Sequence, residues 1–232
     1  MVDKAPERIR AMFDQISPRY DFLNHLLSLN TDVLWRRRAV ERLEKPLLVL
    51  DVCSGTGDMA LELRRRWGAR VVGSDFALRM LEIGRLKAAR KNLSRAVSFL
   101  QADTLRLPFR DGAFDASTVA FGIRNVVDTA RGLSEMARVV RPGGKVLILE
   151  FTTPRNPLLR RGYLAYFGHV LPRVGRLIAR SEIDAYRYLP DSVAKWPMPD
   201  ELKERMEKAG LRNVGYDLVF GGVAAIHVGT RG

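Results

Sequence analysis

Leu47-Leu48-Val49-Leu50-Asp51-Val52-Cys53-Ser54-Gly55-Thr56-Gly57-Asp58 carries more of the architecture than any other segment of the 232 residues. An unbroken apolar run that ends at a carboxylate and turns through two close glycines predicts a buried parallel strand, a tight turn and a helix from Asp58. Gly55 and Gly57 permit positive φ and let backbone approach a ligand, while the first free N–H groups of the helix face the same space. Gly55 to Ala60 also fits the Gly-x-Gly-x-x-Ala turn of a dinucleotide fold. The next apolar stretch, Arg70 to Asp75, ends in a carboxylate 20 residues after Gly55, where a doubly wound fold binds ribose hydroxyls. Asp51 at the strand end, and the lack of an arginine array for a pyrophosphate, tilt the choice from NAD to S-adenosylmethionine. That cofactor carries an ammonium and a carboxylate where NAD has phosphates.

From this turn the pattern extends both ways. Strands are predicted at 47–53, 70–75, 97–101, 114–121 and 145–151, with helices at 58–67, 78–91 and 129–140. Such alternation argues an α/β fold with a parallel sheet covered on both faces. A helix beginning near Pro199 and two closing strands, near 213–219 and 223–230, complete it. Residues 1–45 read as an N-terminal helical lid, 46–151 as the cofactor-binding core, 152–198 as a helical substrate insertion, and 199–232 as closing elements of the core. In the lid, Thr31-Asp32 caps a helix with Val33, Trp35, Ala39, Val40 and Leu43 on one side. Arg36, Arg37, Arg38 and Arg42 lie largely on the other.

Composition narrows the class. Hydrophobic residues make up 47% and charged residues 28%, as in a globular chain. No apolar run approaches the ~20 residues that span a bilayer, so a cytoplasmic location is expected. Cys53 is the single cysteine, which leaves no disulfide framework, and its place in the turn suits packing better than nucleophilic attack. A net charge of +13 attracts anionic partners without choosing among nucleic acid, lipid headgroups and acidic protein.

Two further segments carry chemistry. Asp103, after the third strand, can accept from an adenine amino group. Phe121-Gly122-Ile123-Arg124-Asn125-Val126 follows the fourth strand, at the position where base and amino methyltransferases often place an Asp/Asn-Pro-Pro-aromatic tetrad. A guanidinium and an amide stand there instead, suited to an oxygen-rich or anionic substrate; a structural ion pair is the alternative for Arg124.

Over nearly its whole length the chain resembles the ubiquinone/menaquinone biosynthesis C-methyltransferases. The resemblance rests on Phe13-Asp14-Gln15-Ile16, Arg19-Tyr20-Asp21-Phe22-Leu23-Asn24, Trp35-Arg36, the turn from Asp51 to Asp58, Phe121 to Val126, Arg141-Pro142-Gly143-Gly144, and Gly221 to His227. It implies a Rossmann-like class I S-adenosylmethionine-dependent methyltransferase with a seven-stranded, mostly parallel sheet. The family's cofactor contacts carry over to Thr56, Asp75, Asp103 and Thr104; Asp51, Gly55, Gly57, Phe76 and Ala120 complete the expected cofactor set. Some relatives have Ser where this chain has Ala120. The implied reaction is methylation of a ring carbon of a polyprenylated quinol. Arg124 and Asn125 are then expected to hold the phenolate, with Tyr20, Asp21, His169 or Tyr188 as proton acceptors. The insertion carries five arginines from Asn156 to Arg180 and no acidic residue. It suits either contact with an anionic membrane surface or a solvated basic helix covering the domain. A homodimer is a further expected partner, and nucleic acid is not: the tetrad, a second catalytic cysteine and an RNA-binding appendage are all missing.

Overall fold

The computed structural model describes residues 6–28, 30–166 and 192–232. Seven strands form one sheet in the order β3-β2-β1-β4-β5-β7-β6. They are β1 (Leu48–Val52), β2 (Arg70–Asp75), β3 (Val97–Gln101), β4 (Phe114–Ala120), β5 (Val140–Phe151), β6 (Leu211–Val219) and β7 (Ala224–Arg231). β1 pairs in parallel with β2 and β4, β3 with β2, and β5 with β4, whereas β7 is antiparallel to both neighbours. The chain order reverses between β1 and β4, and a doubly wound sheet opens a crevice at that point, beyond the strands' carboxyl ends.

Among the described residues eight α-helices follow in chain order: α1 (Pro6–Ile16), α2 (Tyr20–Leu27), α3 (Thr31–Glu41), α4 (Asp58–Trp67), α5 (Leu78–Arg90), α6 (Thr129–Arg138), α7 (Pro157–Ala165) and α8 (Pro199–Lys208). Their ends follow local chemistry. Gly68, at φ 69°, closes α4. The Asp128 carboxylate accepts from Arg131 N at 3.0 Å to cap α6. Asn156 accepts from Leu158 N and Leu159 N to cap α7, with Pro157 in its first turn. Among the described residues no helix is long and apolar enough to cross a membrane.

One sheet face packs on α3, α4 and α5 through Trp35, Val40, Leu63 and Leu81; the other packs on α6 and α8 through Leu133, Met136, Leu202 and Met206. Leu147, Ile148 and Leu149 of β5 have no solvent exposure and alternate between these faces. Each such side chain stabilises the fold by about 1.5–3 kcal/mol relative to an exposed one.

Three local readings are corrected. α3 belongs to the core rather than to a lid, because Trp35, Ala39, Val40 and Leu43 make one stripe against the sheet. Its Arg36 is buried with them and paired to Asp32 one turn back, so it does not share the solvent face of Arg37 and Arg38. Asp32 therefore serves that pair, and also accepts from Ser28 Oγ at 2.6 Å, while the N-cap position falls on Asn30 in a left-handed conformation. Finally, the helix predicted at 129–140 ends at Arg138, and Arg141-Pro142-Gly143-Gly144, the signal for its stop, lies inside β5, where the register with β4 shifts between Phe114 and Ala116.

Candidate functional site

A pocket opens at the carboxyl ends of β1, β2, β3 and β4. It encloses about 870 Å³, open mouth included. Its floor comes from the strand ends: Cys53 and Gly55, then Asp75, Phe76 and Ala77, then Asp103 and Thr104, then Ala120, Phe121, Gly122 and Asn125. Its roof comes from the N-terminal helices, through Ile9, Arg10 and Phe13 of α1 and Tyr20 of α2.

The glycine turn is shaped from below. A Cβ on Gly57 would stand 2.6 Å from Phe99 Cζ, and one on Gly84 or Gly73 would also strike that ring. Phe99 is thus wedged among three glycines, and its ring holds the turn against the sheet. Gly57, at φ 83°, uses its freedom for this close approach and does not line the pocket. Gly55, at φ 54°, does line it, and its N–H donates to Asp75 Oδ2 at 2.9 Å. Asp75 Oδ1 accepts from Ala77 N at 2.8 Å. Its carboxylate is therefore aimed by two backbone amides at the pocket edge; burial raises its pKa, and those amides work against the rise.

Asp51 behaves differently. It has no solvent exposure and does not reach the pocket. Ser54 Oγ donates to one carboxylate oxygen at 2.6 Å and Thr118 Oγ1 to the other at 2.7 Å. Burial pushes its pKa up to about 6, against these two hydroxyls. In the described structure the Asp51 side chain braces β1 against β4 and the turn.

Thr56 is likewise turned away from the pocket. Its hydroxyl donates to Asp21 Oδ1 at 2.5 Å, and Lys87 Nζ holds Asp21 Oδ2 at 2.9 Å. Asp21 is thereby engaged on both oxygens and stands outside the pocket wall, so a role as proton acceptor is not supported by its placement. Tyr20 does line the pocket, packed edge-on to Phe13 at 6.1 Å. Burial raises its phenol pKa above the usual value, so at neutral pH it is a hydrogen-bond donor rather than a base. His169 and Tyr188 lie outside the described residues.

Asp103 is exposed, with Oδ1 turned to Leu105 N at 2.9 Å. Thr104 Oγ1 lies 3.5 Å from Cys53 Sγ. Burial pushes the Cys53 thiol far up, which keeps it neutral and unreactive. Phe76 presents its ring at the mouth with Arg10 Cζ 5.7 Å from the ring centre, a cation–π contact between roof and floor.

Behind the floor, Arg124 and Glu150 form a buried ion pair at 2.7 Å. Arg124 Nη1 also donates to the carbonyl of Phe121, a residue held at φ 58°. Glu150 further accepts from Phe151 N at 2.9 Å and Arg124 N at 3.4 Å. Burial raises the Glu150 pKa, opposed chiefly by Arg124. Arg124 Nε is buried without a hydrogen-bond partner among the described residues. Asn125, the next residue, lines the pocket itself. Phe121 and Phe151 stack at 4.6 Å, with Arg36 over the first ring and Arg124 over the second.

Sequence reasoning missed Glu150, Lys87, Phe99 and the roof residues of α1. Glu150 had a signal, since it stands near the carboxyl end of β5 as Asp75 does in β2. The others show themselves only through partners distant in the chain.

The pattern of the ubiE/COQ5 methyltransferase family matches residues 1–231. A demethylmenaquinone methyltransferase of Thermus thermophilus is 52% identical over 223 residues, 95% of this chain and 100% of that protein. A ubiquinone/menaquinone biosynthesis C-methyltransferase UbiE of a Geobacter species is 48% identical and covers 97% of each chain. A demethylmenaquinone methyltransferase of Deinococcus radiodurans is 45% identical, over 97% of this chain and 93% of its own. Among solved structures, an S-adenosylmethionine-dependent methyltransferase of Thermotoga maritima, described as a possible histamine N-methyltransferase, superposes with a TM-score of 0.68. At 21% identity, over 97% of this chain and 100% of that one, it shows the fold.

Proposed function

The chain belongs to the ubiE/COQ5 methyltransferase family, and from that premise we propose how its residues carry out the reaction. The activity is S-adenosyl-L-methionine-dependent C-methylation in quinone biosynthesis, with demethylmenaquinol as substrate and menaquinol as product. The cofactor supplies an electrophilic methyl group on a sulfonium centre.

The pocket residues fit that cofactor. The aimed Asp75 carboxylate suits ribose hydroxyls, and the open Phe76 ring suits stacking of an adenine. Asp103 and the backbone beside Thr104 suit the base edge. Arg10, Ile9 and Phe13 close the roof and exclude water.

Ring methylation requires the protein to hold the carbon within about 3–3.5 Å of the methyl and to favour charge on the neighbouring oxygen. For the second requirement one observation supports the reading. The same pocket runs without a break from Asp75 to Gly122 and Asn125, with the Arg124 guanidinium buried behind it and its Nε lacking an acceptor among the described residues. Arg124 offers positive charge to a substrate oxygen, and Asn125 orients the ring. A cation at that place favours the ionised form of a nearby quinol hydroxyl without a dedicated strong base. The neighbouring Tyr20 phenol feels the same charge, which lowers its pKa in part against burial.

The reading extends to the lipid substrate. Leu158 and Leu159 of α7 and the nearby Phe220 are exposed, with Arg160 and Arg161 next in the chain. Such an apolar and basic edge supports peripheral contact with an anionic membrane, and flotation with anionic liposomes should be lost in an Arg160→Gln/Arg161→Gln variant. The activity is tested with methyl-labelled S-adenosyl-L-methionine offered to reduced, prenylated demethylnaphthoquinone and, in parallel, to total RNA. Label is expected in the quinol alone; label in RNA with none in the quinol refutes the assignment.

A further inference from the structure

Lys87, on α5, stands where three segments meet. Its Nζ contacts Asp21 Oδ2 of α2 at 2.9 Å, Asp58 Oδ1 at the start of α4, and Thr56 Oγ1 of the glycine turn at 3.4 Å. Asp21 in turn accepts from Thr56 Oγ1. One ammonium therefore joins the roof of the pocket to its floor. The adjacent residue, Tyr20, is held facing Gly55, whose missing Cβ would lie 3.9 Å from the ring.

The electrostatics give this arrangement a direction. Asp21 and Asp58 both touch the same cation, so without it two carboxylates face each other across the seam between α2 and α4. Lys87 is only 19% exposed and the two acids 29% and 24%, which leaves the group shielded but within reach of added salt. Other ties between roof and floor are the Arg10–Phe76 cation–π contact, Asp14 Oδ1 accepting from Arg79 N at 3.1 Å, and Ile16 packed with Ala77 and Met80.

We infer that Lys87 is a positioning residue which latches α2 onto the glycine turn and so closes the roof over the cofactor. It touches neither the pocket nor the reacting atoms; it acts through Asp21 and Tyr20. Thr56 then contributes to cofactor binding by anchoring the latch. The inference concerns binding of the cofactor named above and rests on that assignment, but the closure itself can be measured without any ligand.

Hydrogen exchange of α1 and α2 in the ligand-free protein, and calorimetric titration with S-adenosylhomocysteine, test it together. In Lys87→Met the α1 and α2 amides should exchange about tenfold faster while those of β1 and β4 keep their protection, and the Kd should rise about tenfold. Lys87→Arg should restore most of both. Adding Asp21→Asn to Lys87→Met should recover part of the loss, because it removes the repulsion. Raising salt from about 0.1 to 1 M cuts the screening length from about 10 to 3 Å. It should speed lid exchange in the wild type and slow it in Lys87→Met, a reversal that a merely structural lysine would not produce. The latch is refuted if lid exchange in Lys87→Met matches the wild type, if salt acts with the same sign in both, or if Asp21→Asn worsens the variant. Should Lys87→Met fail to fold, a wild-type lid that ignores salt refutes it equally. If the wild type binds no S-adenosylhomocysteine while its lid responds as stated, the cofactor assignment fails and the latch stands.

Discussion

Replacing Glu150 by Ala should expose how strongly the floor of the site depends on one buried ion pair. The substitution removes a carboxylate that accepts from Arg124 Nη1 at 2.7 Å and Phe151 N at 2.9 Å. The guanidinium cannot turn to water, since the pair is buried, with the side chains of Arg124 and Glu150 7% and 1% exposed. The guanidinium is left charged and without its counterion, a change that costs about 3–5 kcal/mol when one member of a buried pair is removed. For a domain of this size each kcal/mol moves Tm by roughly 2–4 °C, so a fall of about 6–20 °C is expected. Urea unfolding followed by tryptophan emission is a suitable assay, because Trp35 lies 6.1 Å from Phe121 and 6.2 Å from Phe151, beside the pair. The control is Arg124→Met/Glu150→Met, which buries no charge and should return to within about 1 kcal/mol of the wild type. Arg124→Met and Glu150→Met alone should each be destabilised comparably to Glu150→Ala, giving a coupling energy of at least about 2 kcal/mol. A Glu150→Ala protein within about 1 kcal/mol of the wild type would refute the reasoning, as would a double variant whose loss equals the sum of the single ones. The double variant should nevertheless be inactive on the quinol, because stability and charge at the substrate oxygen are separate requirements.

Asp75→Ala should raise the Kd for S-adenosyl-L-methionine at least tenfold and leave kcat within about threefold, since the proposed role of Asp75 is to hold the cofactor and not the reacting carbon; steady-state kinetics with labelled cofactor check it, and unchanged affinity would show that ribose binds elsewhere. Gly57→Ala should destabilise by about 2–5 kcal/mol, from a strained backbone at φ 83° and a Cβ 2.6 Å from Phe99. Adding Phe99→Leu should recover the steric share and leave about 1–2 kcal/mol, measured by the same urea titration. Asp51 yields a pH signature. Its pKa is pushed up to about 6 in the fold against about 3.9 unfolded, so its favourable contribution is complete below the unfolded value and is lost as pH rises through about 6. Relative to Asp51→Asn, the wild type should therefore lose on the order of 1 kcal/mol between about pH 5 and 7.5, and parallel stability curves for the two proteins would contradict the assignment.

The sheet and its glycine turn were legible because the signals are local: an apolar run, two residues with positive φ, and carboxylates at strand ends. The same rule treated Asp51 and Asp75 alike, and the structure separates them. Asp75 takes its donors from Gly55 and Ala77, backbone that belongs to the turn and to the next helix, and so stays at the pocket wall. Asp51 meets Thr118, a residue 67 positions away on β4, and is drawn under the floor. Nothing near Asp51 in the chain announces that hydroxyl. Arg36 could not be told from Arg37 and Arg38, since only the packing of α3 on the sheet puts it inside. Lys87 looked like any basic residue on a surface helix until Asp21, 66 positions earlier, was placed against it.

These cases share a cause. A strand end decides where a carboxylate stands, but its partner decides whether any acceptor capacity remains for a ligand. Asp75 is held by amides that stabilise the anion without covering the pocket, whereas Asp51, Asp21 and Glu150 are each engaged by a side chain from another element. The division follows the chemistry required: cofactor hydroxyls need one carboxylate that stays reachable, and a charged substrate oxygen needs an arginine whose counterion cannot swing away. Glu150 suits the second need because it stands 1% exposed on β5, which pairs on both sides with β4 and β7. An acid on a mobile loop would neutralise Arg124 equally well in the resting protein. It would not keep the guanidinium fixed as charge develops on the ring, and in the proposed mechanism that fixity would let one arginine stabilise the transition state more than the bound quinol.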